Sequence, residues 1–136
     1  MTPEPEIAVR GVLVRPGEGE VVTDRDDRDI VLLVEREDIT ITRSRYAPGA
    51  WGPDPHVHHE QVDAWYVLGG ELTFVLGAED RRVRAPAGSF VGVPPNVVHS
   101  FGNESPTETS FPQPAYAGRG LRGLHARPPR RARRAV

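Results

Sequence analysis

The sequence predicts an all-β fold in which short strands pack as a sandwich or close into a barrel. Three observations carry this reading. Short β-rich runs recur along the body, clusters of Gly, Pro and Asp separate them, and no segment sustains helical periodicity over three or more turns. Closure is favoured because it removes the unpaired strand edges that invite aggregation. With 136 residues and no internal repeat, the chain holds one domain core rather than two.

The elements follow in order. Residues 1–28 form an N-terminal arm with a first strand at Val9 to Val14. Strands are next expected at Asp29 to Glu35, Ile39 to Tyr46, Pro55 to His59, Ala64 to Leu68 and Leu72 to Leu76. Gly69-Gly70 separates the last two and reads as a two-residue hairpin turn, since glycine reaches the positive φ such turns require. A second turn at Gly77 to Asp80 leads into Arg81 to Arg84, and strands at Ser89 to Val93 and Val97 to Phe101 complete the set. The barrel is bounded at 29–111, followed by an irregular Arg/Pro-rich tail at 112–136.

Composition narrows the chemistry. Without cysteine, a metal has only His nitrogen and carboxylate oxygen to bind, which suits a cytoplasmic setting. The longest strongly apolar run, Ile30 to Val34, is too short to span a bilayer, and the first residues lack the pattern of a secretion signal, so no membrane partner is expected. The net charge of −2 conceals an asymmetry: residues 1–108 hold all 19 acids against 10 arginines, whereas residues 109–136 hold seven arginines and no acid.

His56 and His58 stand two apart in a β-rich run, so on a strand both side chains leave one face and converge. Asp63 follows five residues later, where a returning strand presents its carboxylate beside the two rings. His99 falls in an apolar alternation with Val97 and Phe101 that points it inward, where a buried imidazole needs a partner. Together the four read as a divalent-metal site; the alternative is a surface histidine cluster. His59 points to the opposite face, and Glu60 reads as a solvated charge. Trp65 shares a face with Asp63, and Phe101 with His99, which makes both candidate walls of a substrate pocket, with ordinary core packing as the alternative. No nucleophile, phosphate loop or carboxylate pair for glycoside chemistry is evident, so no catalytic residue is assigned.

The stretch PHVHHEQVDAWYVLGGE at 55–71 resembles the first conserved motif of the cupin family, with two His, an acid and then Gly. Gly88, Pro94, Asn96, His99 and Asn103 resemble the second, and the likeness covers roughly residues 30–111. The resemblance implies a small single-domain cupin barrel of double-stranded β-helix, or jelly-roll, type. It also implies one divalent ion (Fe, Mn, Ni or Zn) on His56, His58, Asp63 and His99, and a homodimer. Two positions depart from the family: Asp63 stands where Glu is usual, which leaves open a three-His site with an outer carboxylate, and Asn96 stands where Gly is usual. Asn tolerates a left-handed backbone better than other side chains, so the turn survives. Cupins include dioxygenases, isomerases and non-catalytic binding proteins. A metal-dependent, dioxygenase-like oxidoreductase acting on a small organic substrate is the leading expectation, with binding or sensing, isomerisation or a closed structural zinc as alternatives.

The tail admits three readings: a basic arm for nucleic acid or acidic surfaces, a solvated extension, or a frame shift. Nothing else in the chain supports nucleic-acid binding. Deleting one base just after Phe111 allows GC-rich codons for the same residues to read FLNLHTPDAGFADYMRGLRDG, which restores acids and resembles the usual ending of small cupins. The frame shift is the favoured reading, because it also explains the charge break.

Overall fold

A computed structural model describes residues 11–117, and within them the chain is all-β. Nine strands form: β1 (Glu20–Arg25), β2 (Arg28–Glu35), β3 (Ile39–Tyr46), β4 (Gln61–Tyr66), β5 (Glu71–Leu76), β6 (Arg81–Pro86), β7 (Phe90–Val93), β8 (His99–Gly102) and β9 (Thr109–Ala117). They pair antiparallel into a six-stranded sheet, β1-β2-β3-β9-β4-β7, and a three-stranded sheet, β6-β5-β8. The inward residues of the strands supply the core. Trp65 and Val67 come from the β4 segment, Leu72 and Phe74 from β5, Phe101 from β8, Phe111 from β9 and Tyr46 from β3. Removing these large apolar side chains from water is the main force closing the structure.

Four sequence expectations need correction. The strand at Val9 to Val14 does not form over residues 11–14, which have irregular backbone, while residues 9 and 10 lie outside the described residues. A first strand forms instead at Glu20–Arg25; mostly exposed and at the sheet edge, it carries little of the apolar alternation that marks a half-buried strand. Pro55 to His59 is not a strand either. Pro53 and Pro55 lack the N–H groups that a ladder needs, and only one bridge forms, with His56 N–H donating to His99 O at 3.1 Å and His99 N–H to His56 O at 2.9 Å.

Gly69-Gly70 is not a hairpin turn, because β4 and β5 belong to different sheets. The segment crosses between them: Leu68 N–H donates to Ser110 O, and Gly70, at φ 78°, passes so close to β9 that a Cβ there would lie 2.4 Å from Glu108 O. Glycine is required by both backbone angle and approach. The turn at Gly77 to Asp80 does form the β5–β6 hairpin, with Asp80 N–H donating to Gly77 O. Finally, β9 runs to Ala117, past the expected barrel boundary at 111. Its prolines are tolerated because Pro112 and Pro114 stand where β9 is laddered only to β3; pairing with β4 is confined to Ala115–Ala117.

Candidate metal centre

The fold brings His56, His58, Asp63 and His99 together, with one potential ligand atom from each lying within 4.8 Å of the others. Asp63 sits on the inner face of β4 and His99 at the start of β8, both buried; His56 and His58 come from the proline-bearing loop and are half-buried. The two loop histidines therefore converge without sharing a strand face. The bridge to His99 pins His56, and His58 is pinned by its carbonyl, which accepts from Asn96 N–H at 2.7 Å. Asn96 makes that contact from a left-handed backbone, φ 70°, as expected of its place in the turn. The three imidazole rings lie 4.4–5.6 Å apart between centroids.

Hydrogen bonds fix which nitrogen two of the rings present. His56 Nδ1 lies 2.8 Å from Asp54 O and His99 Nδ1 lies 2.8 Å from Val97 O. A carbonyl only accepts, so both Nδ1 atoms carry protons and Nε2 is the nitrogen left for a ligand. Asp63 Oδ2 lies 3.2 Å from His99 Nε2 and 3.4 Å from His58 Nε2, while its other oxygen accepts from Gln61 Nε2 at 2.6 Å. Burial pushes the Asp63 carboxyl up, but hydrogen bonds from His99 and Gln61 and the nearby histidine charges outweigh it and hold it below its ordinary range. Burial likewise lowers His99, yet its bonds to Asp63 and Val97 O and the Asp63 charge hold it above its ordinary value.

This donor set fits a divalent cation. Metal–ligand bonds of about 2.1 Å place ligand atoms about 3 to 4.2 Å apart in an octahedron; the Asp63 Oδ2 distances to His99 Nε2 (3.2 Å) and His58 Nε2 (3.4 Å) fall in that range, and all four ligand atoms lie within 4.8 Å of one another. Three neutral imidazoles and one carboxylate leave up to two positions open on a six-coordinate ion. Asp63, although shorter than Glu, reaches the same point as the rings, because β4 sets its backbone inside the barrel.

Trp65 and Phe101 lie directly beneath the cluster in the apolar core. The Trp65 ring is 5.9 Å from the His99 ring and 5.2 Å from Phe101, and Phe74 closes on it at 5.0 Å. His59 is exposed, with Nδ1 2.8 Å from Asn96 Oδ1, and Glu60 is exposed. Gln61, whose amide bonds Asp63, is a site residue that the sequence alone did not single out. Its position two before Asp63, on the same strand face, is the signal that could have found it.

Comparison with known proteins agrees with this fold. A predicted oxalate decarboxylase from Thermotoga maritima superposes with a TM-score of 0.67 at 20% identity, covering 77% of this chain and 98% of that one. KdgF from Halomonas sp. gives 0.65 at 18% identity over 78% and 94% of the two chains. An uncharacterised double-stranded β-helix protein from Klebsiella pneumoniae gives 0.60 at 26% identity over 77% and 84%. No curated protein matches the chain by sequence. The family model for the cupin domain matches residues 42–111, just over half of the chain, so the chain belongs to the cupin family.

Proposed function

We propose that this protein is a metal-dependent cupin enzyme of dioxygenase-like type, acting on a small organic substrate. The observation that carries this reading is the convergence of His56, His58, Asp63 and His99 at one point, with two ligands buried and two at the half-exposed side. When bound there, a divalent ion would supply Lewis acidity and, if redox-active, a route for electrons. The chain's own residues do the rest. Asp54 and Val97 carbonyls hold the imidazoles with Nε2 presented, Gln61 orients the Asp63 carboxylate, and the aromatic floor of Trp65, Phe74 and Phe101 keeps water from the inner side.

The test begins with elemental mass spectrometry of untagged protein. Wild type is expected to hold close to one ion per chain and His99→Ala about tenfold less or lower; equal content in both would overturn the site. Oxygen uptake across a panel of enols and phenols then tests the reaction class. Metal in place with no uptake for any member would move the reading to an isomerase or a non-catalytic binding protein.

A further inference from the structure

Trp65 carries a polar atom that the fold leaves unanswered. Its side chain is fully buried, and Nε1 is the only buried side-chain nitrogen or oxygen among the described residues without a hydrogen-bond partner. Leaving such a donor unpaired costs about 1–3 kcal/mol, so native structures rarely keep one without a reason. Packing alone would have been served by Phe, which offers similar apolar area and no donor.

The position of the residue indicates what could answer it. Asp63 and Trp65 alternate along β4 and both are buried, so Trp65 lies on the same inward face as the candidate carboxylate ligand, one residue pair along the strand. Its ring meets His99 at 5.9 Å on one side and Phe74 and Phe101 on others. The rings of Phe74 and Phe101 offer no strong acceptor, and the protein oxygen of the cluster, on Asp63, is already shared among His58, His99 and Gln61. None of the groups that meet this ring offers the N–H a free oxygen acceptor.

We propose that Trp65 Nε1–H donates to an oxygen of the molecule bound beside the metal ligands, making Trp65 a specificity-determining residue of this site. The inference rests on the metal reading above and names the substrate class: a small organic acid or enolate that offers one oxygen to the ion and a second to the indole. Charge agrees with this choice. A divalent ion with Asp63 leaves one net positive charge, which favours an anion, and the aromatic floor accommodates its carbon skeleton.

Indole NMR reads the contact directly. The chain has two tryptophans, so a ¹⁵N-labelled sample shows two indole N–H signals, and Trp51→Phe identifies the one from Trp65. Zn²⁺ is added first, then oxalate, pyruvate and catechol in separate titrations, with binding followed in parallel by calorimetry. The expected result is a downfield shift of the Trp65 signal with at least one oxygen ligand, and about tenfold weaker binding of that ligand to Trp65→Phe at unchanged zinc content. If a ligand binds the zinc-loaded protein while the Trp65 signal stays put, the N–H rests on an aromatic face and the proposal is overturned. If zinc binds and none of the three ligands does, the substrate class is overturned. Failure of zinc itself to bind overturns the metal reading and this inference with it. The wild-type shift requires no core substitution, so a folding defect in Trp65→Phe does not obscure the outcome.

Discussion

His99 shows how one residue is committed to its role by two contacts. Its Nδ1 donates to Val97 O, and its Nε2 faces Asp63 Oδ2 at 3.2 Å, so without a metal both contacts are satisfied only by the doubly protonated ring. Its raised pKa is the same fact in thermodynamic form: below the unfolded value of about 6.5 the pairing contributes fully to stability, and it is lost as pH rises through the higher folded value. Asp63 has the opposite sign, contributing above its unfolded value of about 3.9 and losing that contribution as pH falls through its depressed folded value. A cation takes the place of the Nε2 proton. Metal loading is therefore expected to release protons, and the rise in Tm on adding Zn²⁺ to grow from about pH 6 to about pH 8, measured by calorimetry in paired buffers. A pH-independent Tm increment would contradict the assignment of Nε2 as ligand. At this scale the four candidate ligands that the fold brings together were readable from residue type and spacing. The amide of Gln61 was not, because spacing gives a shared face but not whether a side chain reaches.

Among the elements, the loop after β8 depends on one side chain. Asn103 is fully buried; its Nδ2 donates to Tyr46 O at 3.0 Å and Thr107 O at 2.8 Å, and its Oδ1 accepts from Ser105 N at 2.9 Å and Ser105 Oγ at 2.7 Å. Asn103→Ala removes all four bonds and leaves the Tyr46 and Thr107 carbonyls without this donor. The expected loss is about 2–4 kcal/mol of stability, read from urea unfolding. A loss below about 0.5 kcal/mol would show that the loop closes without it. Strands β3 and β5 were readable from the sequence because each is a short run rich in β-branched and aromatic residues bounded by turn residues. The exposed edge strand β1 and the proline-bearing β9 were not: β1 buries little, and β9 is held by β3 and β4, which are remote in sequence.

For the whole molecule, charge and family likeness change at the same place. The cupin domain model stops matching at Phe111, and beyond it come seven arginines and no acid, although strand β9 continues to Ala117. Residues 118–136 lie outside the described residues. Sequencing the gene from an independent clone is expected to place a single-base shift just after Phe111 and restore the acidic ending; an unchanged frame would instead favour a basic arm. No helix of the described residues is long and apolar enough to cross a membrane.

By itself the sequence determined the all-β class and the identity of four candidate ligands, and the likeness to the cupin motif added the left-handed turn that Asn96 tolerates. Each follows from local chemistry: side-chain alternation, ligand type, and the steric tolerance of a single residue. Only the tertiary structure decided that His56 and His58 arrive on a loop rather than a strand, that Gly70 crosses between sheets, and that the Trp65 indole is left without an acceptor. These depend on which strands become neighbours, and that choice is made by burial of residues far apart in the chain, which no local pattern encodes.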